Sequence, residues 1–189
     1  MELRDALKAR RSIRSFEDRQ IPDDLLESVV GAASWAPSAF NEQPWHFRVV
    51  RHELREKLLG IMVQNTAYLE EFMRVLGREA TPEAIQWYSD LGGAPVILAC
   101  TMPIVDDEFR AMNKYLSIGA AVQNILLAAT DAGLGSCSVT FSFWVRDEIG
   151  ELLDIPKDRM LVGLIALGYP RALQAPVPEH RRDIVTFMD

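Results

Sequence analysis

The sequence predicts an α+β domain with more helix than strand, and three observations carry that reading. Short apolar or alternating runs near 45–51, 94–101, 136–143 and 161–167 have the length and pattern of strands. Between them lie stretches with apolar residues at helical spacing. One of these, Phe109 to Ala132, has a centre from Leu116 to Ala129 that is apolar on nearly all sides. Such a helix must be covered all round, by its own domain or by a partner chain. No repeat, low-complexity segment or linker divides residues 1–189, so a single domain is expected.

In chain order, Leu3, Ala6 and Leu7 mark a short helix over 2–10. Ile21-Pro22-Asp23-Asp24 opens a second: Pro suits the first turn, and the acids suit its positive end. Leu25, Leu26, Val29, Val30 and Ala33 form its apolar face, and Pro37 stops it. Trp45 to Arg51 reads as a strand, and Leu54, Leu58 and Ile61 as a helix over 53–63. The stretch 65–91 carries Tyr68, Phe72, Trp87 and Tyr88 at helical spacing, with a fresh helix start at Thr81-Pro82-Glu83. It is one bent arm or two short helices. Gly133-Leu134-Gly135 ends the long central helix. Val145 to Leu153 is a short helix, and Leu161 to Leu167 is the clearest strand. The tail from 171 to 189 ends in an apolar Ile-Val-Thr-Phe, which suggests that it docks.

Bulk properties exclude several classes. The formal net charge of −7 argues against a nucleic-acid binder, which needs a basic face. The longest apolar stretch, near 118–129, is too short for a bilayer and is interrupted by Gln123 and Asn124. The start of the chain lacks a basic-then-apolar leader, so a cytoplasmic protein is the expectation. Cys100 and Cys137 have no CxxC partner and lie in apolar runs, which points to two buried thiols rather than a zinc site. His46, His52 and His180 are scattered, and no triad, HExxH or carboxylate cluster appears. That absence suits an enzyme whose cofactor does the chemistry.

Two short groups carry candidate binding chemistry. Arg10, Arg11, Ser12 and Arg14 place four hydrogen-bonding side chains in five residues just past a helix. Guanidinium forks and a hydroxyl suit a dianionic phosphate, although basic residues there also answer the helix's negative end. In the second group, Pro37 and Pro44 bracket Ser38, Ala39, Phe40, Asn41, Glu42 and Gln43, and Trp45 closes it. A loop so bracketed presents amides and hydroxyls in a fixed shape, as a flat heteroaromatic ring requires, or is simply a turn into a strand. Gly133-Leu134-Gly135 fails as a dinucleotide fingerprint, because it follows a helix instead of opening one. Arg181 and Arg182 are either a further anion contact or a solvated pair.

Taken in order, RRSIRSF at 10–16, APSAFNEQPWHF at 36–47, SIGAAVQNILLAATDAGLGSC at 117–137, and ELLDIP with LVGLIALGYP at 151–170 resemble the FMN-dependent nitroreductase family. The resemblance spans the chain except roughly 60–92 and the last residues. It implies a mixed, mostly antiparallel sheet flanked by helices, in an intertwined homodimer with FMN at the interface. Arg10, Ser12 and Arg14 would hold the phosphate and ribityl chain, with Arg11 adding a backbone or pyrimidine-edge contact. Pro37, Ser38, Ala39 and Asn41, from the other subunit, would line the isoalloxazine ring, and Arg181 or Arg182 would reach the phosphate. The family often has a Gly-Gly or Glu-Gly pair after the position of Cys137, where this chain reads Ser138 to Phe143. Ala39 also stands in place of a common Ser.

The activity implied is transfer of hydride from NADH or NADPH, through FMN, to an electron-poor small molecule such as a nitroaromatic or a quinone. The transfer would run by ping-pong, with no catalytic side chain. A different flavin reaction on the same scaffold, or a non-enzymatic flavin binder, is the alternative. Segment 60–92 would be a helical arm or lid, and 171–189 an arm over the other subunit.

Overall fold

The computed structural model describes residues 1–171, 179, 181 and 183–188. Its helices are α1 (Leu3–Ala9), α2 (Asp23–Gly31), α3 (His52–Asn65), α4 (Leu69–Val75), α5 (Pro82–Asp90), α6 (Glu108–Asp131) and α7 (Arg146–Leu152). Its strands are β1 (His46–Val50), β2 (Val96–Pro103), β3 (Gly135–Val139) and β4 (Arg159–Gly168). They form one sheet in the order β1-β2-β4-β3, antiparallel at every strand pair. Among the described residues, parallel pairing is confined to an isolated bridge between Ser12 and Ser136.

The two central strands show why the sheet is covered on both sides. Along β2, Ile97 and Ala99 face a core completed by Leu58, Met62 and Ile149 of α3 and α7. Val96 and Leu98 face the opposite core, built with Leu26 and Val29 of α2 and Ala121, Ile125 and Ala129 of α6. In β4 the same alternation sends Leu164 and Ala166 one way, and Ile165 and Leu167 the other. A strand apolar at every position is therefore a strand buried on both faces.

Local chemistry sets the element ends. Asp107 accepts from Arg110 N at 2.8 Å and caps α6, and Gly133 takes the left-handed conformation (φ 75°) just past its end. Segment 65–91 resolves into two short helices after α3, and the Thr81 hydroxyl caps α5 by accepting from Ala84 N at 3.2 Å. β3 stops at Val139, short of Phe143, because the chain turns there: the buried Asn65 amide donates to the Phe141 carbonyl. No helix among the described residues is long and apolar enough to cross a membrane.

Candidate functional site

The basic turn is laid across the ends of β3 and β4. Ile13 N donates to Ser136 O at 3.0 Å, Phe16 N to Gly92 O at 3.0 Å, and Glu17 N to Tyr169 O at 2.9 Å. Phe16 is fully buried and anchors the segment. Gly92 makes the approach possible: a Cβ there would lie 2.1 Å from the Arg14 carbonyl, and its φ is +66°. The turn's side chains then divide. Arg11 donates to the carbonyls of Lys8 (2.6 Å) and Arg10 (2.7 Å), so it closes the end of α1. Arg14 lies over the Trp87 ring, 5.4 Å from its centroid. Among the described residues, neither Arg10 nor Arg14 has a carboxylate partner.

These groups converge on β3. Burial pushes the Cys137 thiol up, while Arg14, the Ser12 hydroxyl and Arg10 pull it the other way. Burial also raises Tyr88, against an opposing pull from Arg14. The Ser136 hydroxyl, on the residue bridged to Ser12, is buried without a hydrogen-bond partner. Cys100 and Cys137 are both buried free thiols.

The Pro37–Pro44 loop is a separate construction. Phe40, Asn41 and Gln43 all adopt positive φ (54°, 58° and 45°), a conformation costing roughly 1–2 kcal/mol for a non-glycine residue. Gln43 N donates to the Ser38 hydroxyl at 3.0 Å, and the Gln43 amide donates to Asn41 Oδ1 at 3.2 Å. Two residues outside the loop tie it down. Lys114 Nζ donates to Glu42 Oε2 at 2.5 Å from a side chain only 7 % exposed. Arg159 Nη2 donates to Pro44 O at 2.7 Å and to Thr101 O at 2.9 Å. Neither residue stood out in the sequence. Lys114 had one signal, a cation at the entry to the apolar centre of its helix, and Arg159 had none.

The two groups stand near opposite ends of α6. The loop is tied at Lys114, whereas the turn packs on β3, which begins four residues after α6 ends at Asp131. Lys114 and Asp131 are 17 positions apart, or roughly 25 Å of helix at 1.5 Å per residue. Arg181 pairs with Asp183 at 2.9 Å and is exposed, and Arg182 lies outside the described residues. Of the arm's aromatics, Phe72, Trp87 and Tyr88 pack against the core beside Phe141 and Trp144, whereas Tyr68 stacks on Trp144 and is 43 % exposed.

The sheet order, the turn and the loop together define a family. The model of the Nitroreductase family matches residues 7–169. An Archaeoglobus fulgidus protein with the provisional name NADH dehydrogenase/NAD(P)H nitroreductase is 36 % identical over 172 residues, covering 86 % of this chain and 82 % of its own. An iodotyrosine deiodinase of Haliscomenobacter hydrossis is 30 % identical over 186 residues, covering 92 % and 81 %. The crystal structure of the FMN-dependent nitroreductase of Mycobacterium smegmatis in complex with NADPH superposes with a TM-score of 0.81 at 23 % identity, covering 98 % and 97 %. The chain belongs to the nitroreductase family.

Proposed function

We propose that this chain is an FMN-dependent oxidoreductase that takes electrons from NADH or NADPH and passes them to an electron-poor small molecule. Nitroaromatics and quinones are the acceptor classes. The observation that carries the reading is the unpaired basic turn. In an acidic protein, Arg10 and Arg14, with no carboxylate partner among the described residues, stand beside the buried Ser136 hydroxyl, which no described group bonds, and together they suit an anionic ligand. The similarity to proteins named as FMN- and NAD(P)H-dependent supports the choice of ligand.

The residues fit FMN in two parts. Arg10, Ser12 and Arg14 would hold the phosphate and ribityl chain. Arg11 is committed to α1, so its share is a backbone donor. Pro37, Ser38, Ala39 and Asn41 would line the ring, and Arg181 or Arg182 would add a phosphate contact. When bound, FMN supplies the hydride-accepting and hydride-donating chemistry. The chain positions both reactants and excludes water from them. No side chain acts as a covalent nucleophile.

Two copies are needed to assemble the two parts, because one chain holds them near opposite ends of α6. The outward side of α6 exposes Phe109, Met112, Tyr115 and Leu116, an apolar strip that suits a second copy. The tail residues Ile184, Val185, Phe187 and Met188 are likewise exposed and would reach over that copy. The α4–α5 arm would cover the pocket, with the half-exposed Tyr68, stacked on Trp144 at the arm's start, as the aromatic nearest solvent. A different flavin reaction is the second reading, supported by the 30 % identity with a deiodinase.

Anaerobic titration of the FMN-loaded protein with NADH and with NADPH separates these. Bleaching of the flavin band by either nicotinamide, and its return on adding an acceptor, is expected. A protein that takes up no FMN contradicts the proposal. A yellow protein that neither nicotinamide bleaches favours the second reading.

A further inference from the structure

We propose that Lys114 is a positioning residue. Through Glu42 it straps the Pro37–Pro44 loop into the left-handed shape that presents Ser38 and Asn41 to the flavin ring. The inference rests on the reading that this loop lines the ring.

The loop's internal bonds, from Gln43 N to Ser38 and from Gln43 to Asn41, give it shape but tie it to nothing else. Three of its residues adopt positive φ without being glycine, so the isolated loop would relax toward ordinary backbone. Arg159 fixes it only at Pro44, past the strained stretch. Glu42 sits between Asn41 and Gln43, inside that stretch, and is the point where a tie has most leverage. The tie runs to Lys114, a nearly buried cation on the 24-residue helix α6. A buried ammonium without its partner is costly, so the pair holds firmly from the helix side. Phe40, the residue at the loop's tip, is 96 % exposed in the single chain, so the loop projects outward instead of packing on its own body. Its shape must therefore be set from beneath.

The test compares Glu42→Gln, Lys114→Met, the exchanged pair Glu42→Lys with Lys114→Glu, and Asn41→Ala as a reference for direct contact. Hydrogen exchange of amides 38–43 in the FMN-free protein reads the strap. FMN affinity and the bound-flavin absorbance spectrum read its consequence. Glu42→Gln and Lys114→Met should each speed exchange in the loop, shift the bound-flavin spectrum and weaken FMN roughly tenfold. The melting temperature should change little in Lys114→Met, because Met refills the Lys114 channel, and should fall in Glu42→Gln, which leaves the ammonium buried without its carboxylate. The exchanged pair should restore slow exchange and most of the affinity, which a general packing defect would not allow. If Asn41→Ala weakens FMN while Glu42→Gln and Lys114→Met leave exchange and affinity unchanged, the loop still lines the ring and the strap is overturned. If the loop loosens but FMN affinity holds in every variant, Asn41→Ala included, the loop-lining reading fails and the positioning role falls with it.

Discussion

At the scale of single residues, the chain separates cations by what they already hold. Arg11 is spent on α1 carbonyls and Arg159 on the carbonyls of Pro44 and Thr101, whereas among the described residues Arg10 and Arg14 have no carboxylate partner. Replacing Arg10 and Arg14 together by Ala should weaken FMN by about a hundredfold, as expected for two charge-assisted contacts. The apo-protein should melt within a few degrees of wild type, because only the Arg14–Trp87 stacking is lost; unchanged affinity would refute the phosphate assignment. The cysteines give a pH prediction. Burial pushes the Cys100 thiol up to about 12, and raises Cys137 above its ordinary 9.0. Cys100 stays protonated in the fold while the unfolded chain ionises, so its contribution is complete below pH 9 and is lost as pH rises toward 12, and the raised Cys137 thiol contributes in the same direction. Denaturant melts from pH 8 to 11 should show falling stability that is reduced when both are replaced by Ala. At this scale the sequence was legible for side chains set close together along the chain, such as Arg10 to Arg14. It was silent on Lys114 and Arg159, whose meaning comes from partners 72 and 115 positions away.

At the scale of elements, periodicity carried almost everything. The double-sided burial of β2 and β4 was visible as unbroken apolar runs, and α6 as a long apolar helix with a glycine stop. Composition left one end open. The stretch 136–143 reads as containing a strand, and that strand ends at Val139, beyond which Asn65, 76 positions before Phe141, donates to the Phe141 carbonyl. The α4–α5 arm was ambiguous between a lid and a core. Phe72 and Tyr88 pack edge to face at 6.1 Å, and both ring-pack with Phe141, so most of its aromatics hold the arm to the body. The start of α5 is held by one side-chain cap, the Thr81 hydroxyl. Thr81→Ala removes the acceptor for Ala84 N and should cost about 1 kcal/mol. Exchange of α5 amides should accelerate while those of β2 stay slow; equal acceleration in both would mean that α5 is not an independently fraying unit.

At the scale of the whole molecule, the account turns on distance. The turn and the loop were read as one site from their order in the sequence, but sequence order says nothing about where each lies on the fold. The structure places them near opposite ends of a 24-residue helix, and the first turns of that helix expose an apolar patch at Phe109, Met112, Tyr115 and Leu116. On the proposed reading, a site made of both would need a second copy, whose own turn would meet this chain's loop. Mixed dimers test this directly. One protomer carries Arg10→Ala with Arg14→Ala, and the other carries Asn41→Ala. If the site is shared, one of the two sites in the mixed dimer combines both defects, and the other is wholly wild type. The mixture should then bind one FMN per dimer at wild-type affinity, while each variant alone binds weakly. A mixed dimer with no site of wild-type affinity would place the turn and the loop in one protomer's site and contradict the account.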